Sequence, residues 1–135
     1  MKPIPVKEAE FVYKGYTCVV LFQPLGFRTA YVGLPKNSRY YDVVYNKIPI
    51  DCHGGLTYSR QSLFSQETVK NVWWIGFDCG HCFDKRDFEK SKKYYGEDIY
   101  QEIYSILPSN GEIKTLDFCI QECKSIVDQI IKAEG

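Results

Sequence analysis

Runs of apolar residues separated by turns rich in glycine and proline predict β-strands in the first 80 positions. Residues 10–13 and 16–23 form a predicted hairpin around the turn Lys14-Gly15. The second of these strands carries apolar side chains on both faces, which predicts a central position in a sheet. Three more strands are predicted at 28–34, 55–59 and 72–78.

The last third of the chain has the spacing of helices. Four apolar residues on one stripe predict a helix over 97–107 that stops at Pro108. Between 115 and 132 apolar residues recur every three or four positions, and Thr115 is a suitable N-cap. Strands followed by helices predict one α+β domain over residues 1–135, with a mostly antiparallel sheet of about five strands packed against two C-terminal helices.

The charges and the apolar runs exclude some classes of protein. Seventeen basic and seventeen acidic residues cancel, whereas a protein that binds duplex nucleic acid normally has a basic excess. No apolar run approaches the roughly 20 residues of a membrane span, and the first residues do not have the pattern of a secretory signal. We therefore predict a cytoplasmic protein, with no membrane partner and with six mostly reduced cysteines.

The candidate chemistry lies in two short clusters that hold both histidines, Asp51-Cys52-His53-Gly54-Gly55 and Asp78-Cys79-Gly80-His81-Cys82. The glycines allow unusual backbone angles and let a ligand approach the main chain. The second cluster directly follows an apolar strand that carries both tryptophans. The predicted ligand-binding residues are His53, Gly54, Gly55, Thr57, Tyr58, Trp74, Asp78, His81 and Asp84.

Several kinds of chemistry fit these residues. As catalytic groups, His53, Asp78, His81 and Asp84 would perform general acid–base work. They would equally bind a divalent metal, hydrogen-bond the polar edge of a ligand, or only cap local turns. We favour ligand binding without catalysis, and predict no metal and no cofactor.

A zinc site built from cysteines is disfavoured. The formal four-thiolate set is Cys79, Cys82, Cys119 and Cys123. Its last two members fall on the apolar stripe of the final helix, where cysteine behaves as a small hydrophobic residue. Glu122 flanks that stripe and would reach the histidines if the helix packed beneath the site. Trp73 and Trp74 should point to opposite faces, so that one enters the core and the other stacks on a flat ligand.

The motifs resemble those of a family of small phage and prophage proteins. The matching segments are Gly33-Leu34-Pro35, Tyr41-Asp42, residues 53–58, and residues 73–81 with Asp84, and the similarity continues from Thr115 to Gln129. The resemblance covers most of the chain and favours His53, Asp78, His81 and Asp84 as site residues. It implies a phage context and no particular mechanism.

The leading hypothesis is a phage-encoded accessory protein that antagonises host immunity by binding and sequestering a nucleotide-like signal. His53, His81 and glycine-loop N–H groups would meet its anionic part, while Tyr58 or a tryptophan stacks on the base. One alternative is a His/Asp-dependent hydrolase or phosphodiesterase, with or without a metal. Another is an inhibitor of a host defence protein that acts through the tyrosine-rich surface at 39–45. We also expect a homo-oligomer, in which a partner covers residual apolar helix surface.

Overall fold

The fold is known from a computed structural model that describes residues 4–63, 71–81, 84–96 and 111–135. Five strands form one antiparallel sheet in the order β1-β2-β3-β5-β4. They are β1 Val6–Tyr13, β2 Tyr16–Phe22, β3 Arg28–Pro35, β4 Tyr58–Arg60 and β5 Val72–Asp78. The predicted α+β class is confirmed.

Turns at Lys14-Gly15 and at Gly54-Gly55 determine where the neighbouring strands begin and end. Lys14 and Gly15 both have positive φ angles, 49° and 87°, as the two-residue hairpin turn requires. Gly54 and Gly55 also have positive φ, and the Gly55 N–H donates to the carbonyl of Cys52 at 2.9 Å. The chain therefore still turns at Gly55, and β4 starts at Tyr58 instead of at residue 55. β1 begins at Val6, four residues earlier than predicted.

Two α-helices are described. Helix α2, Leu116–Glu134, confirms the predicted C-terminal helix, and Thr115 Oγ1 accepts a hydrogen bond from the Phe118 N–H at 3.1 Å. Helix α1, Phe88–Tyr95, was not predicted, and it lies in a segment of mixed charge, residues 84–98, whose sequence is typical of a solvated surface. The helix predicted over 97–107 lies outside the described residues. In the described part of the chain, neither α-helix has the length and hydrophobicity of a membrane span.

The sheet has two different faces. Helix α2 covers one of them with five buried residues, Cys119, Cys123, Ile126, Val127 and Ile130. On β5 this face receives Ile75 and Phe77, while Trp74 points to the other face. That second face carries a smaller cluster, formed by Val19, Leu21, Tyr31, Leu63 and Trp74.

Candidate functional site

Helix α2 fixes the turn that carries His53. The backbone N–H of His53 donates to Glu122 Oε1 at 2.8 Å, and the imidazole packs edge-on against Phe118 with 5.3 Å between ring centroids. Two residues earlier, the backbone of Asp51 exchanges two hydrogen bonds with the Gln129 amide, at 2.8 and 2.7 Å. Glu122 thus reaches the histidine turn, as its position beside the helical stripe predicts.

The turn after β5 positions His81. Asp78 Oδ1 accepts a hydrogen bond from the Gly80 N–H at 3.0 Å, and Asp78 Oδ2 accepts one from the Thr57 hydroxyl at 3.1 Å. The imidazole of His81 lies directly on the backbone of Gly54. A Cβ at Gly54 would lie 2.2 Å from its Cε1 atom, so the first glycine of the pair leaves space for the second histidine.

Asp84 joins the two histidines. Its two carboxylate oxygens each lie 2.9 Å from His53 Nε2, and Oδ2 is 3.1 Å from His81 Nδ1. The backbone N–H of His81 also donates to Oδ2 at 3.2 Å. The imidazole centroids are 5.3 Å apart, although His53 and Asp84 are separated by 31 positions in the sequence. The fold therefore brings both predicted clusters into one site, which we call the His–Asp site (His53, Asp78, His81 and Asp84).

Asp84 is the buried centre of this site. Its side chain is fully buried, whereas the side chains of His53 and His81 are 11% and 25% exposed. Burial alone would raise the pKa of Asp84, but hydrogen bonds from His53 and His81 outweigh it and hold the pKa below its usual value. Asp84 is therefore a buried carboxylate at neutral pH, and it orients imidazoles that are themselves within reach of solvent.

Cations balance the carboxylates around the site. Lys114 Nζ lies 3.9 Å from Asp84 Oδ1. Arg86 donates from Nη2 to the carbonyl of Gly80 at 3.3 Å, while its buried Nη1 has no hydrogen-bond acceptor in the described part of the chain. Burial lowers the pKa of Arg86, and the charges of Asp84 and Asp78 oppose that shift. Asp78 Oδ1 also lies 3.8 Å from His81 Nε2.

Two of the predicted ligand-binding residues lie elsewhere. Trp74 is 5% exposed and belongs to the cluster on the second face of the sheet, so it is not part of the His–Asp site. Tyr58 packs edge-on against Tyr31 at 5.0 Å on that same face, and its hydroxyl donates to the carbonyl of Ser62.

Gly55 follows Gly54 in the turn, and a Cβ there would meet nothing within 4 Å. The indole of Trp73 donates to the Val43 carbonyl at 2.8 Å.

Trp74 borders a groove on the second face. The groove has a volume of about 510 Å³. Its apolar lining includes Val19, Leu21, Leu63, Val72 and Trp74, with Lys7 and Glu10 at its polar side. The tryptophan expected to face a ligand therefore lies beside a concave surface separate from the histidines.

The tyrosine-rich segment is only partly at the surface. Tyr40 is buried in the main core at 8% exposure, and the Tyr41 ring lies 6.3 Å from that of Trp73. Tyr45 is exposed. A partner that contacts the 39–45 surface would thus meet Tyr45 but not Tyr40.

The described members of the formal thiolate set, Cys79, Cys119 and Cys123, are buried core residues. Cys79 and Cys119 are buried with their sulfur atoms 3.8 Å apart. The hydrogen bond with Cys119, together with burial, raises the pKa of the Cys79 thiol. Cys123 is buried on the same helix, and its thiol donates weakly to the Tyr31 carbonyl at 3.9 Å. Cys82, the remaining member of the formal thiolate set, lies outside the described residues.

Sequence reasoning missed Lys114, Phe118 and Arg86. Lys114 and Phe118 flank the N-cap of α2, so the predicted helix start was an available signal. Nothing in the spacing, however, shows that this helix end approaches His53. Arg86 lies in the segment of mixed charge, where a solvated side chain is the usual outcome.

One subset of the site has the composition of a metal centre. Among the described residues, His53, His81 and Asp84 are the group whose nitrogen and oxygen donors all lie within 4.8 Å of one another. The resemblance to phage proteins stays a prediction, because comparisons with protein families, curated proteins and solved structures find no match to this chain.

Proposed function

We propose that this chain is a phage-encoded accessory protein that antagonises host immunity by binding and sequestering a nucleotide-like small molecule. The observation that carries the proposal is the meeting of His53 and His81 over one buried carboxylate. The motifs around these residues resemble those of phage proteins, and this likeness supports the phage context. The protein acts in the cytoplasm of the host in this proposal.

The polar groups suit a ligand with an anionic part. Both imidazoles are partly exposed, and Lys114 and Arg86 offset the charges of Asp78 and Asp84. Donors held by the surrounding fold bind an anion with little loss of conformational freedom. The imidazoles and the turn at Gly54 therefore form the anion-binding part of the proposed site.

The base of the ligand needs a different aromatic partner from the one that the sequence indicates. Trp74 and Tyr58 pack on the second face of the sheet. Phe118 already lies against His53 and is half-buried. We propose that Phe118 supplies the apolar surface for the base.

Sequestration requires that the ligand binds and that it is not chemically altered. Recovery of the bound ligand tests both conditions. The purified protein is incubated with a panel of cyclic and linear nucleotides, and bound ligand is identified by mass spectrometry after heat denaturation. We expect an intact nucleotide from the native chain and none from His81→Ala. Glu112→Gln is the control, because its side chain is 88% exposed and its segment pairs with that of Asp84. Failure of the native chain to bind any nucleotide of the panel would reject the proposal.

A second candidate is a hydrolase or phosphodiesterase. One buried carboxylate contacts Nε2 of His53 and Nδ1 of His81, so it fixes the tautomers of both rings, as an acid–base pair needs. Under this alternative the recovered nucleotide is cleaved, and His53→Ala or His81→Ala abolishes cleavage while the circular dichroism spectrum is unchanged. Recovery of intact nucleotide rejects it.

A further inference from the structure

We propose that His53, His81 and Asp84 bind one divalent transition-metal ion of the zinc class. The ion would bind the anionic part of the ligand, and this role of the ion rests on the proposed function. The donor atoms alone support the ion-binding site itself.

The three donors have the chemistry and the spacing of a metal centre. Imidazole nitrogens and a carboxylate are the ligands that zinc and related divalent ions take from proteins. Zinc bonds of about 2.0–2.2 Å require donors within about 4.4 Å of one another. The donors here lie within 4.8 Å, and those of His53 and Asp84 are 2.9 Å apart. Movements of a few tenths of an ångström complete the arrangement.

The contact between His53 and Asp84 involves both carboxylate oxygens. Nε2 carries at most one proton, yet it lies 2.9 Å from each carboxylate oxygen. Either carboxylate oxygen is therefore close enough to His53 Nε2 to bind the same ion as that nitrogen.

The surrounding structure holds each proposed ligand in position. The His53 backbone donates to Glu122, the Asp84 backbone N–H donates to the His81 carbonyl at 2.9 Å, and the His81 ring lies on Gly54. Asp78 Oδ1 lies 3.8 Å from His81 Nε2, beyond hydrogen-bond distance but within electrostatic reach. Metal-binding histidines commonly have a carboxylate beside their second ring nitrogen.

Three protein ligands leave at least one coordination position open. Centres that bind substrate or ligand keep such a position, whereas purely structural zinc sites are closed by four protein ligands. A phosphate oxygen is a suitable occupant of the open position. The ion would thereby add positive charge beside Asp78, Asp84 and Glu122 and would bind the anionic part of the ligand directly.

Metal titration tests the site without any nucleotide. Protein treated with a chelator is titrated with ZnCl₂ by calorimetry and with CoCl₂ by absorption spectroscopy. We expect one ion per chain and a cobalt spectrum of nitrogen and oxygen ligands. His81→Ala and Asp84→Asn should weaken binding by more than about 100-fold, because even outer-shell changes cost about 10–100-fold. Glu112→Gln removes the same charge as Asp84→Asn at an exposed position and should bind as the native chain does.

Three results would overturn the inference: no uptake by the native chain, unchanged affinity in Asp84→Asn, or an intense thiolate-to-cobalt band, which would assign the ion to cysteines. If a variant loses its fold by circular dichroism, the stoichiometry and cobalt spectrum of the native chain decide. Nucleotide binding with and without bound zinc separates the two proposals. Zinc uptake without nucleotide binding rejects sequestration alone, whereas nucleotide binding by a chain that takes up no zinc rejects the metal site alone.

Discussion

At the scale of single residues, the two glycines after His53 have different tasks. Both have positive φ, 69° for Gly54 and 81° for Gly55. A Cβ at Gly54 would overlap the His81 ring, whereas a Cβ at Gly55 would enter open space. Substitutions at these two positions therefore allow the cost of backbone strain alone to be compared with the cost of strain plus steric overlap.

Gly55→Ala should cost about 1–2 kcal/mol of unfolding free energy, because alanine is strained in the left-handed region. Gly54→Ala has the same strain and in addition displaces the His81 ring, so it should cost a further 1–3 kcal/mol, roughly the penalty of overpacking. Urea denaturation of the two variants measures the difference. Equal losses would show that His81 does not rest on Gly54.

Asp84→Asn should lower the unfolding free energy by about 2–3 kcal/mol. The asparagine keeps the shape of the side chain but removes the charge that accepts hydrogen bonds from two imidazoles, and hydrogen bonds to charged groups contribute about 1.5–3 kcal/mol. The control Glu112→Gln should stay within about 0.5 kcal/mol of the native chain, as exposed substitutions do. A stability loss as large in the control would show that charge in general, and not the buried network, is responsible.

At the scale of elements, helix α2 supports both the core and the site. Its apolar stripe packs on the sheet, while Phe118, Glu122 and Gln129 contact the segment that carries His53. Stability at the start of this helix should therefore affect the site.

Thr115→Ala should destabilise the protein by about 1 kcal/mol, because it removes the acceptor for the Phe118 N–H. Thr115→Ser keeps the hydroxyl and should retain most of that stability. Thermal unfolding compares the three proteins. Equal melting temperatures for Thr115→Ser and Thr115→Ala would show that the hydroxyl does not cap the helix.

The sequence predicts helices and strands with a strong apolar pattern much better than it predicts contacts between elements that are far apart in the chain. The apolar run of β2 and the stripe of α2 are confirmed because each buries a wide apolar surface. Helix α1 was missed because only Phe88 and Ser91 are buried in it. Both histidine clusters could be found from their glycines and polar residues. The contacts of Phe118 and Lys114 depend on tertiary packing, which local spacing does not encode.

At the scale of the whole molecule, a buried polar network connects helix α1 with the sheet. Arg28 and Glu8 form an ion pair at 2.6 Å with both side chains 4% exposed, and the Tyr94 hydroxyl donates to Glu8 at 2.7 Å. The neighbouring Tyr95 donates to the Phe22 carbonyl at 2.9 Å. These phenols must stay protonated to make those bonds.

Alkaline solution should weaken the fold through these tyrosines. Burial, with the charge of Glu8, raises the pKa of Tyr94 and of Tyr95 to about 12, against about 10 in an unfolded chain. The unfolded chain then loses protons first, so stability is full below about pH 10 and falls as the pH rises toward 12. Denaturation at several pH values measures the decline, and Tyr94→Phe should make it shallower. A decline equally steep in Tyr94→Phe would exclude this cause.

The outer strand β1 also determines how copies of this chain meet one another. An unpaired strand edge is a template on which other chains add, and it is the usual starting point of aggregation. Here the pairing register shifts between Lys7 and Ala9, and Lys7 and Glu10 place opposite charges along the strand. Irregular, charged edges resist such growth. Any stable assembly of copies should therefore form through surfaces other than the edge of β1.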